Sequence, residues 1–294
     1  MFYRRKIILA LLQVFGGRLE KINLQKLLFL VCQKQKEPDY EFIPYLYGCY
    51  SHSAKADLYT MVKKGFLEED DTSYSKKDGK NYLSLLDEGD KKLVAQANLL
   101  YNKLDADGLM KLTYKNFPYY AINSTTAQRL LSKEEIDKVN ASRPVLTATS
   151  LYTVGYEGIS LEAYLNKLIK YDVKILVDVR NNPMSQKFGF SKSQLMKYCG
   201  GLNIAYVHFP DVGIQSEYRQ ELKEQSDYDN LFNAYKKQTL PSTVSIQEKI
   251  LTLLKENKRI ALTCFEANIC QCHRKHLAEA ITKLPQWNYE LKHI

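Results

Sequence analysis

Residues suited to acid–base, nucleophilic or anion-binding chemistry are concentrated in the second half of this 294-residue chain. Asp178 and Arg180 occur together, Glu266 follows two residues after a cysteine, and Cys272-His273-Arg274 forms a continuous run. A glutamate beside cations can act as a general base or a nucleophile, and a cysteine at the start of a helix can be an activated thiol. The residue types therefore indicate a site built from carboxylates, a thiol and cations.

The elements that must position these residues alternate regularly between strand and helix patterns. The sequence predicts strands at 151–154, 174–180, 203–209 and 259–265, and helices at 161–170, 191–199, 246–256 and 274–283, with further helical segments near 216–237. Strands that alternate with helices indicate a parallel sheet covered on both faces, a Rossmann-like three-layer α/β fold.

Polar residues follow each predicted strand, at the edge where parallel sheets bind ligands. We predict four catalytic residues among them: Asp178, Glu266, Cys272 and His273. We predict that the following residues bind a substrate or anion: Gly155, Tyr156, Arg180, Ser185, His208 and Arg274. The alternative is that these residues are polar only because loops after buried strands generally are.

Phosphate is the simplest anion for such a site. Arg274 stands at the start of a predicted helix, where free backbone N–H groups and the helix dipole favour an anion, and Arg180 could be a second clamp. The alternative for each arginine is a salt bridge to Asp178 or Glu266. Asp178 could also simply be held by the neighbouring backbone.

Cysteine usage favours one special thiol cluster over a disulfide framework, because three of the six cysteines fall within nine residues. Structural zinc is an alternative, with possible donors at Cys264, Cys270, Cys272, His273 and His276. The Cys-x-Cys spacing suits a standard zinc knuckle poorly, so we predict no metal site and leave the cofactor open. We expect a low-pKa thiol at Cys272 and a plain buried thiol at Cys264.

The first half of the chain reads as three helices followed by a two-stranded wing. Asn23 is the predicted N-cap of the second helix, and segments 66–70 and 81–85 are the predicted wing strands on either side of a polar stretch. This order is typical of a winged helix. We place the winged-helix-like α+β domain at 1–124, a helical connector at 125–150 and the α/β domain at 151–294.

Both halves resemble known bacterial families. The run Leu24-Gln-Lys-Leu-Leu-Phe-Leu, the turn Tyr47-Gly-Cys-Tyr-Ser and the close Gly65-Phe-Leu resemble Panacea/SocA-like antitoxin domains, which usually have Pro where this chain has Cys49. The combination Gly-Tyr-Glu-Gly, Asp-Val-Arg-x-x-Pro-x-Ser, His-x-Pro-x-x-Gly and Cys-x-Glu…Cys-His-Arg, over about 151–280, resembles the family called domain of unknown function 488. That resemblance implies an α/β domain with a shared polar site and no established activity.

The formal net charge of +9 and the pI near 9.0 permit contact with nucleic acid. The expected nucleic-acid-binding residues of the winged helix are Arg4, Arg5, Lys6, Lys55, Lys63 and Lys64. No apolar stretch is long enough to predict a membrane span, and the apolar start of the chain lacks a signal-peptide cleavage site. We therefore expect a cytoplasmic protein.

Three hypotheses for function remain open at this point. The first is an enzyme directed at nucleic acid or a nucleotide, which hydrolyses a glycosidic or phosphoester bond and is targeted by the winged helix. The second is a non-enzymatic regulator that binds an anionic effector, such as a phosphate-bearing small molecule, and docks on DNA or a partner protein. The third is a thiol-dependent redox or sulfur-transfer protein that depends on Cys272.

Overall fold

The chain forms two compact units, Met1–Arg143 and Pro144–Ile294, in a computed structural model that describes residues 1–219, 222 and 224–294. The change between units falls inside the stretch 125–150 that the sequence predicts as a connector. The independence of the predicted domains stays a prediction, and each unit is described by itself.

The first unit combines helices with short antiparallel strands. Its helices are α1 (Tyr3–Val14), α2 (Lys21–Cys32), α3 (His52–Lys63), α4 (Glu88–Tyr101), α5 (Ala106–Asn116), α6 (Ala127–Leu130) and α7 (Lys133–Ala141). Its strands are β1 (Arg18–Glu20), β2 (Ile43–Tyr45), β3 (Gly48–Tyr50), β4 (Leu67–Glu69) and β5 (Ser73–Lys76). Strands β1, β5 and β4 form one antiparallel sheet in that order, and β2 pairs with β3.

The order α1-β1-α2-α3-β4-β5 is that of a winged helix, with the β2–β3 hairpin inserted before α3. Helix α1 ends where Gly16 and Gly17 adopt positive φ, and its residues 7–12 are fully buried in the core. The predicted α+β fold class of this half is thereby confirmed.

Two local predictions in the first unit are wrong. Helix α2 begins two residues before Asn23, with Glu20 at the N-cap position, because the chain enters it directly from the unpredicted strand β1. The second wing strand is β5, inside the polar stretch, whereas 81–85 contains a short 3-10 helix at Leu83–Leu85. Strand β5 is hard to predict from the sequence because most of its residues are polar, and Tyr74 is the one large side chain that it buries.

Asp57 of α3 joins this helix to α1 through a buried carboxylate. Arg4 Nε donates to its Oδ2 at 2.6 Å, Arg5 Nε donates to its Oδ1 at 2.7 Å, and Tyr40 Oη donates to Oδ2 at 2.9 Å. The Asp57 side chain is only 3% exposed, so these donors replace water as the hydrogen-bond partners of its carboxylate oxygens.

The second unit alternates strands and helices as predicted. Its strands are β6 (Ser150–Gly155), β7 (Ile175–Asp178), β8 (Ala205–His208), β9 (Arg259–Cys264) and β10 (Glu290–His293). Its helices are α8 (Leu161–Lys170), α9 (Lys192–Gly200), α10 (Gln225–Ser242), α11 (Val244–Asn257) and α12 (His273–Ile281). The strands form one parallel sheet in the order β10-β6-β9-β7-β8, which confirms the predicted parallel α/β class.

Helices cover both faces of this sheet. Alternate residues such as Leu151, Val177 and Leu262 pack into one core with α11 and α12. On the opposite face, Tyr164 of α8 donates a hydrogen bond to Thr263 Oγ1 at 2.7 Å. Neighbouring residues of one strand therefore face different helix layers, as the pleat of a strand requires.

Sequence reasoning missed strand β10 and only partly located α10. β10 is a short edge strand with three polar residues among its four, so it lacks the apolar run that marks a buried strand. Its register pairs Glu290 with Ser150. The helical pattern near 216–237 resolves into a 3-10 turn at Ser216–Arg219 and α10, while positions 220, 221 and 223 of that prediction lie outside the described residues.

None of the helices in the described parts of the chain combines enough length and apolar character to span a bilayer.

We expect Asp57→Asn to destabilise the first unit by about 2–3 kcal/mol, because Arg5 then loses the carboxylate that balances its charge. This is less than the cost of breaking a fully buried pair, since the Arg4 side chain is 39% exposed. Urea unfolding followed by circular dichroism measures the change, and amide hydrogen exchange should localise it to α1 and α3.

Asp107→Asn is the matched control, because Asp107 pairs with Arg129 on the surface. It should unfold like the wild type. Equal unfolding midpoints for Asp57→Asn and Asp107→Asn would show that the Asp57 contacts do not stabilise the unit.

Candidate functional site

The polar residues predicted at the strand ends lie in register along one edge of the parallel sheet. Gly155 of β6 lies beside Cys264 of β9, and Asp178 of β7 lies between Thr263 and His208. Because β9 is flanked by β6 and β7, the loop after Cys264 meets the loops that follow both neighbours. The site therefore forms at the carboxyl edge, where parallel sheets bind ligands.

Asp178 and Arg180 form a buried ion pair at this edge. Arg180 Nη2 lies 2.5 Å from Asp178 Oδ2 and Arg180 Nε donates to Oδ1 at 2.8 Å. Tyr206 of β8 donates its hydroxyl to the same carboxylate at 2.5 Å. Asp178 is fully buried and Arg180 is 6% exposed, so the carboxylate holds the guanidinium in one position.

The other side of the Arg180 guanidinium binds the loop after β6. Its Nη1 donates to Tyr156 Oη at 2.6 Å and to the Phe190 carbonyl at 2.9 Å, while the Tyr156 ring stacks on Phe190 with centroids 4.2 Å apart. Burial acts to lower the pKa of Arg180, but the hydrogen-bonded charge of Asp178 outweighs it and the pKa is raised. The structure therefore favours the salt-bridge alternative for Arg180 over the predicted anion clamp.

His208 and Ser185 lie around the same loop. His208 Nε2 donates to the Arg180 carbonyl at 2.8 Å, and its Nδ1 lies 3.3 Å from Lys192 Nζ. Ser185 Oγ accepts from the Lys187 backbone N–H at 3.2 Å. Both residues thus order the segment that carries Arg180, and their predicted contact with substrate stays a prediction.

A second cluster, the Cys264–Cys272–His273 trio, faces the opposite side of the sheet. Its three donor atoms all lie within 4.8 Å of one another, and all three residues are buried. Cys264 Sγ lies 3.1 Å from Glu266 Oε2 and 3.7 Å from His273 Nδ1. The structure therefore brings together three predicted catalytic residues (Glu266, Cys272 and His273), whereas Asp178 belongs to the ion pair on the α8 face.

The expectation of a low-pKa thiol at Cys272 is wrong. Cys272 is fully buried at the N-cap position of α12, and burial raises the pKa of its thiol, with a further increase from neighbouring Cys264. The helix start does not offset the loss of water around the thiolate. The burial of Cys272 therefore counts against the thiol-transfer hypothesis. The predicted buried state of Cys264 is confirmed.

Arg274 fixes the loop between β9 and α12. Its Nη1 donates to the Glu266 carbonyl and its Nη2 donates to the Ala267 carbonyl at 3.3 Å, with the residue only 2% exposed. These contacts hold the backbone of the loop, so Arg274 positions Glu266 through its main chain. As with Arg180, the structure favours a structural role over the predicted phosphate clamp.

Gly155 allows this loop to approach β6 closely. A Cβ at this position would overlap the Glu266 carbonyl oxygen and lie 3.1 Å from Arg274 Nη2. The backbone N–H of Tyr156 also donates to the Phe265 carbonyl at 3.1 Å. Gly155 therefore allows close backbone packing against the Glu266 carbonyl, and its predicted contact with substrate stays a prediction.

Two adjoining cavities open at this edge. The smaller one, of about 130 Å³, is lined by Tyr156, Arg180, Cys264 and His273 among others. The larger one, of about 810 Å³, is lined by polar and aromatic residues that include Gln215, Tyr218, Tyr235, Gln238 and Thr239. Asn181 and Ile214 line both cavities, so the two spaces adjoin at these residues.

The predicted nucleic-acid-binding residues lie at the start of α1 and along α3. Besides the Arg4 and Arg5 pairs with Asp57, Lys55 Nζ lies 3.0 Å from Glu69 Oε1, and Lys6 Nζ lies 5.6 Å from the Tyr3 ring centroid. Lys63 and Lys64 are exposed where α3 ends. Nucleic-acid binding by these six residues stays a prediction.

Sequence reasoning missed Tyr206 and the α10 residues that line the larger cavity. Tyr206 and Val207 are neighbours in the short strand β8, so their side chains point to opposite faces of the sheet. This pattern could have placed Tyr206 on the same face as Asp178. No comparable signal marks Gln238 or Thr239, because they depend on how α10 packs beside the loop at Asp211–Gly213.

Comparison with models of known families matches residues 160–281 to a family described as Domain of unknown function DUF488. This match confirms the resemblance predicted for the second half of the chain, whereas the resemblance predicted for the first half stays a prediction. A search among curated proteins finds no match.

We expect Gly155→Ala to destabilise the second unit by about 1–3 kcal/mol, because the new methyl group collides with the Glu266 carbonyl and the loop must shift. Thermal unfolding measures the loss. Gly200→Ala is the matched control, since Gly200 lies in α9 with nothing near its Cβ position, and alanine there should be neutral or stabilising. Equal melting temperatures for both variants would contradict the close approach.

Proposed function

We propose that this protein is a hydrolase that binds a nucleotide, free or within a nucleic acid, and cleaves its glycosidic or phosphoester bond. The observation that carries the proposal is the position of Glu266, a half-buried carboxylate at the carboxyl edge whose Oε2 lies 3.1 Å from Sγ of Cys264, a residue that lines the smaller cavity. A carboxylate at this edge of a parallel sheet can remove a proton from water or attack the substrate directly.

The larger cavity suits a nucleobase and its sugar. Its volume of about 810 Å³ lies in the range of small-molecule sites, and the amides of Gln215 and Gln238 offer donors and acceptors to a base edge. Tyr218 is 65% exposed at its rim, which leaves a ring face for stacking. Neutral hydrogen-bonding groups therefore dominate the recognition of the ligand.

The smaller cavity is where the reacting bond would lie. Asn181 lines both cavities, so we place the base of the ligand in the larger cavity and let the ligand extend past this residue towards the smaller one. In this arrangement Glu266 is the catalytic base, while Asp178 and Arg180 act as positioning residues that keep Tyr156 at the cavity wall.

The first unit would bring the protein to its target. Its winged-helix order and its resemblance to Panacea/SocA-like domains support docking through α3 onto DNA. The end of α3 presents Lys63, Lys64 and the 53%-exposed ring of Tyr59, with Lys63 Nζ 4.8 Å from the ring centroid. Lysines next to an exposed aromatic ring suit a nucleic-acid backbone and its bases.

We expect Glu266→Gln to lower turnover by about 100-fold or more and to leave nucleotide binding intact, because the amide keeps the shape of the side chain but cannot accept the proton. The full chain is incubated with a panel of nucleotides and oligonucleotides. Chromatography then identifies free base, nucleoside or phosphate, and the shift in melting temperature reports binding.

Glu256→Gln is the matched control, because Glu256 is exposed on α11 and should keep full turnover. Turnover that survives in Glu266→Gln would remove Glu266 from the mechanism. A melting shift in the wild type without any product would favour the non-enzymatic regulator instead.

We expect the double variant Lys63→Glu and Lys64→Glu to weaken DNA binding and to reduce its dependence on salt, because two phosphate contacts are replaced by repulsion. Fluorescence anisotropy with labelled duplex at two salt concentrations measures both effects. Lys103→Glu, an exposed lysine after α4, is the control. Identical titrations for all three proteins would point to docking on a protein partner.

A further inference from the structure

The Cys264–Cys272–His273 trio has the geometry of a metal site that the sequence alone did not predict. We infer that these three residues bind one zinc ion. Their donor atoms converge within 4.8 Å although Cys264 ends β9 and the other two residues begin α12. The binding of zinc does not depend on the proposed hydrolysis, but its use in that reaction does.

The distance between Cys264 Sγ and His273 Nδ1 fits tetrahedral zinc. With Zn–S near 2.3 Å and Zn–N near 2.05 Å, a tetrahedral angle places sulfur and nitrogen ligands about 3.6 Å apart. Cys264 Sγ and His273 Nδ1 are 3.7 Å apart. An ion can therefore sit between these two atoms with little movement of either side chain.

The imidazole of His273 is oriented for metal binding. Its Nε2 lies 2.9 Å from the Val179 carbonyl oxygen. A carbonyl can only accept, so Nε2 carries the proton, and in the neutral ring Nδ1 presents its lone pair to Cys264. Metal-binding histidines are usually held in this way, with the second ring nitrogen donating to a backbone carbonyl or a carboxylate.

The donor set selects zinc over the hard cations. Two thiolates and one imidazole suit zinc, whereas magnesium and calcium prefer oxygen ligands. Glu266 Oε2, 3.1 Å from Cys264 Sγ, can complete the coordination or stand beside a bound water. Cys264 and His273 line the smaller cavity, which provides a path for the ion and for water.

Two of the five possible zinc donors named from the sequence, Cys270 and His276, lie outside this site. Cys270 is exposed on a 3-10 turn, and His276 Nδ1 lies 3.5 Å from Glu279 Oε2 on α12. Neither belongs to the converging group found among the described residues.

Three protein ligands and a nearby carboxylate form the donor set of hydrolytic zinc sites, in which zinc lowers the pKa of its bound water and the carboxylate transfers the proton.

The test measures metal in the untagged full chain, since a histidine tag would bind zinc itself. The protein is stripped with a chelator, reloaded with zinc and desalted, and its zinc content is measured by mass spectrometry. A second sample is loaded with cobalt(II), whose absorption spectrum reports thiolate ligands and tetrahedral geometry. Cys264→Ser and Cys272→Ser remove ligands, and Cys270→Ser is the matched control on the same loop.

We expect about one zinc ion per chain in the wild type and in Cys270→Ser, and loss of most of it in the two ligand variants. The cobalt-loaded wild type should show thiolate-to-cobalt charge-transfer bands, which decides the matter even where a ligand variant fails to fold. A wild type without zinc and without these bands would overturn the inference. Zinc retained equally in Cys264→Ser and Cys272→Ser would place the ion elsewhere and overturn it as well.

The outcomes for metal and for hydrolysis are separable. Zinc that is lost in the ligand variants, found in a protein that forms no product from any nucleotide, would confirm the metal site and remove the proposed reaction. Turnover that requires Glu266 in a protein without zinc would support the proposed reaction and overturn the metal site.

Discussion

The buried ion pair between Asp178 and Arg180 is the interaction on which the carboxyl edge of the second unit depends. Asp178 receives Arg180 and the Tyr206 hydroxyl of β8, and Arg180 in turn binds the loop after β6 and the Phe190 carbonyl. The ion pair thereby joins β7, β8 and the loop that follows β6. A buried pair of this kind contributes little net stability, but removing one partner leaves an uncompensated charge, so the geometry is strongly enforced.

The consequence is a site whose strongest charges are already satisfied by protein groups. Arg180 is held by Asp178, and Arg274 donates to carbonyls of the β9–α12 loop. Arg180 lines the smaller cavity with its charge already paired, and the other polar side chains around the two cavities include amides, hydroxyls, the Cys264 thiol and the His273 imidazole. The proposed recognition of a ligand therefore rests on hydrogen bonding and stacking, and not on the phosphate clamp that the spacing of the arginines suggested.

The sequence predicts the sheet well because buried strands such as β7 and β9 are continuous apolar runs, and because α8 has a clear apolar face bounded by Ser160. It predicts that polar residues gather at one edge, since parallel strands must end together. It does not predict which of them pair, because pairing depends on the face to which each side chain points. Cys272 illustrates this limit: its position at a helix start suggests activation, but its full burial reverses the expected pKa shift.

The pleat of β7, continued through residues 179 and 180, explains how the Asp178–Arg180 ion pair and the Cys264–Cys272–His273 trio share one edge of the sheet. Asp178 lies on the α8 face, while the trio lies on the α12 face, and the Val179 carbonyl between Asp178 and Arg180 accepts the hydrogen bond from His273. The ion pair that fixes residues 178–180 thus also fixes the carbonyl that orients the imidazole. A rigid polar network on one side of the sheet therefore sets the position of the donor cluster on the other, and a shift of residues 178–180 would move His273 Nδ1 relative to Cys264.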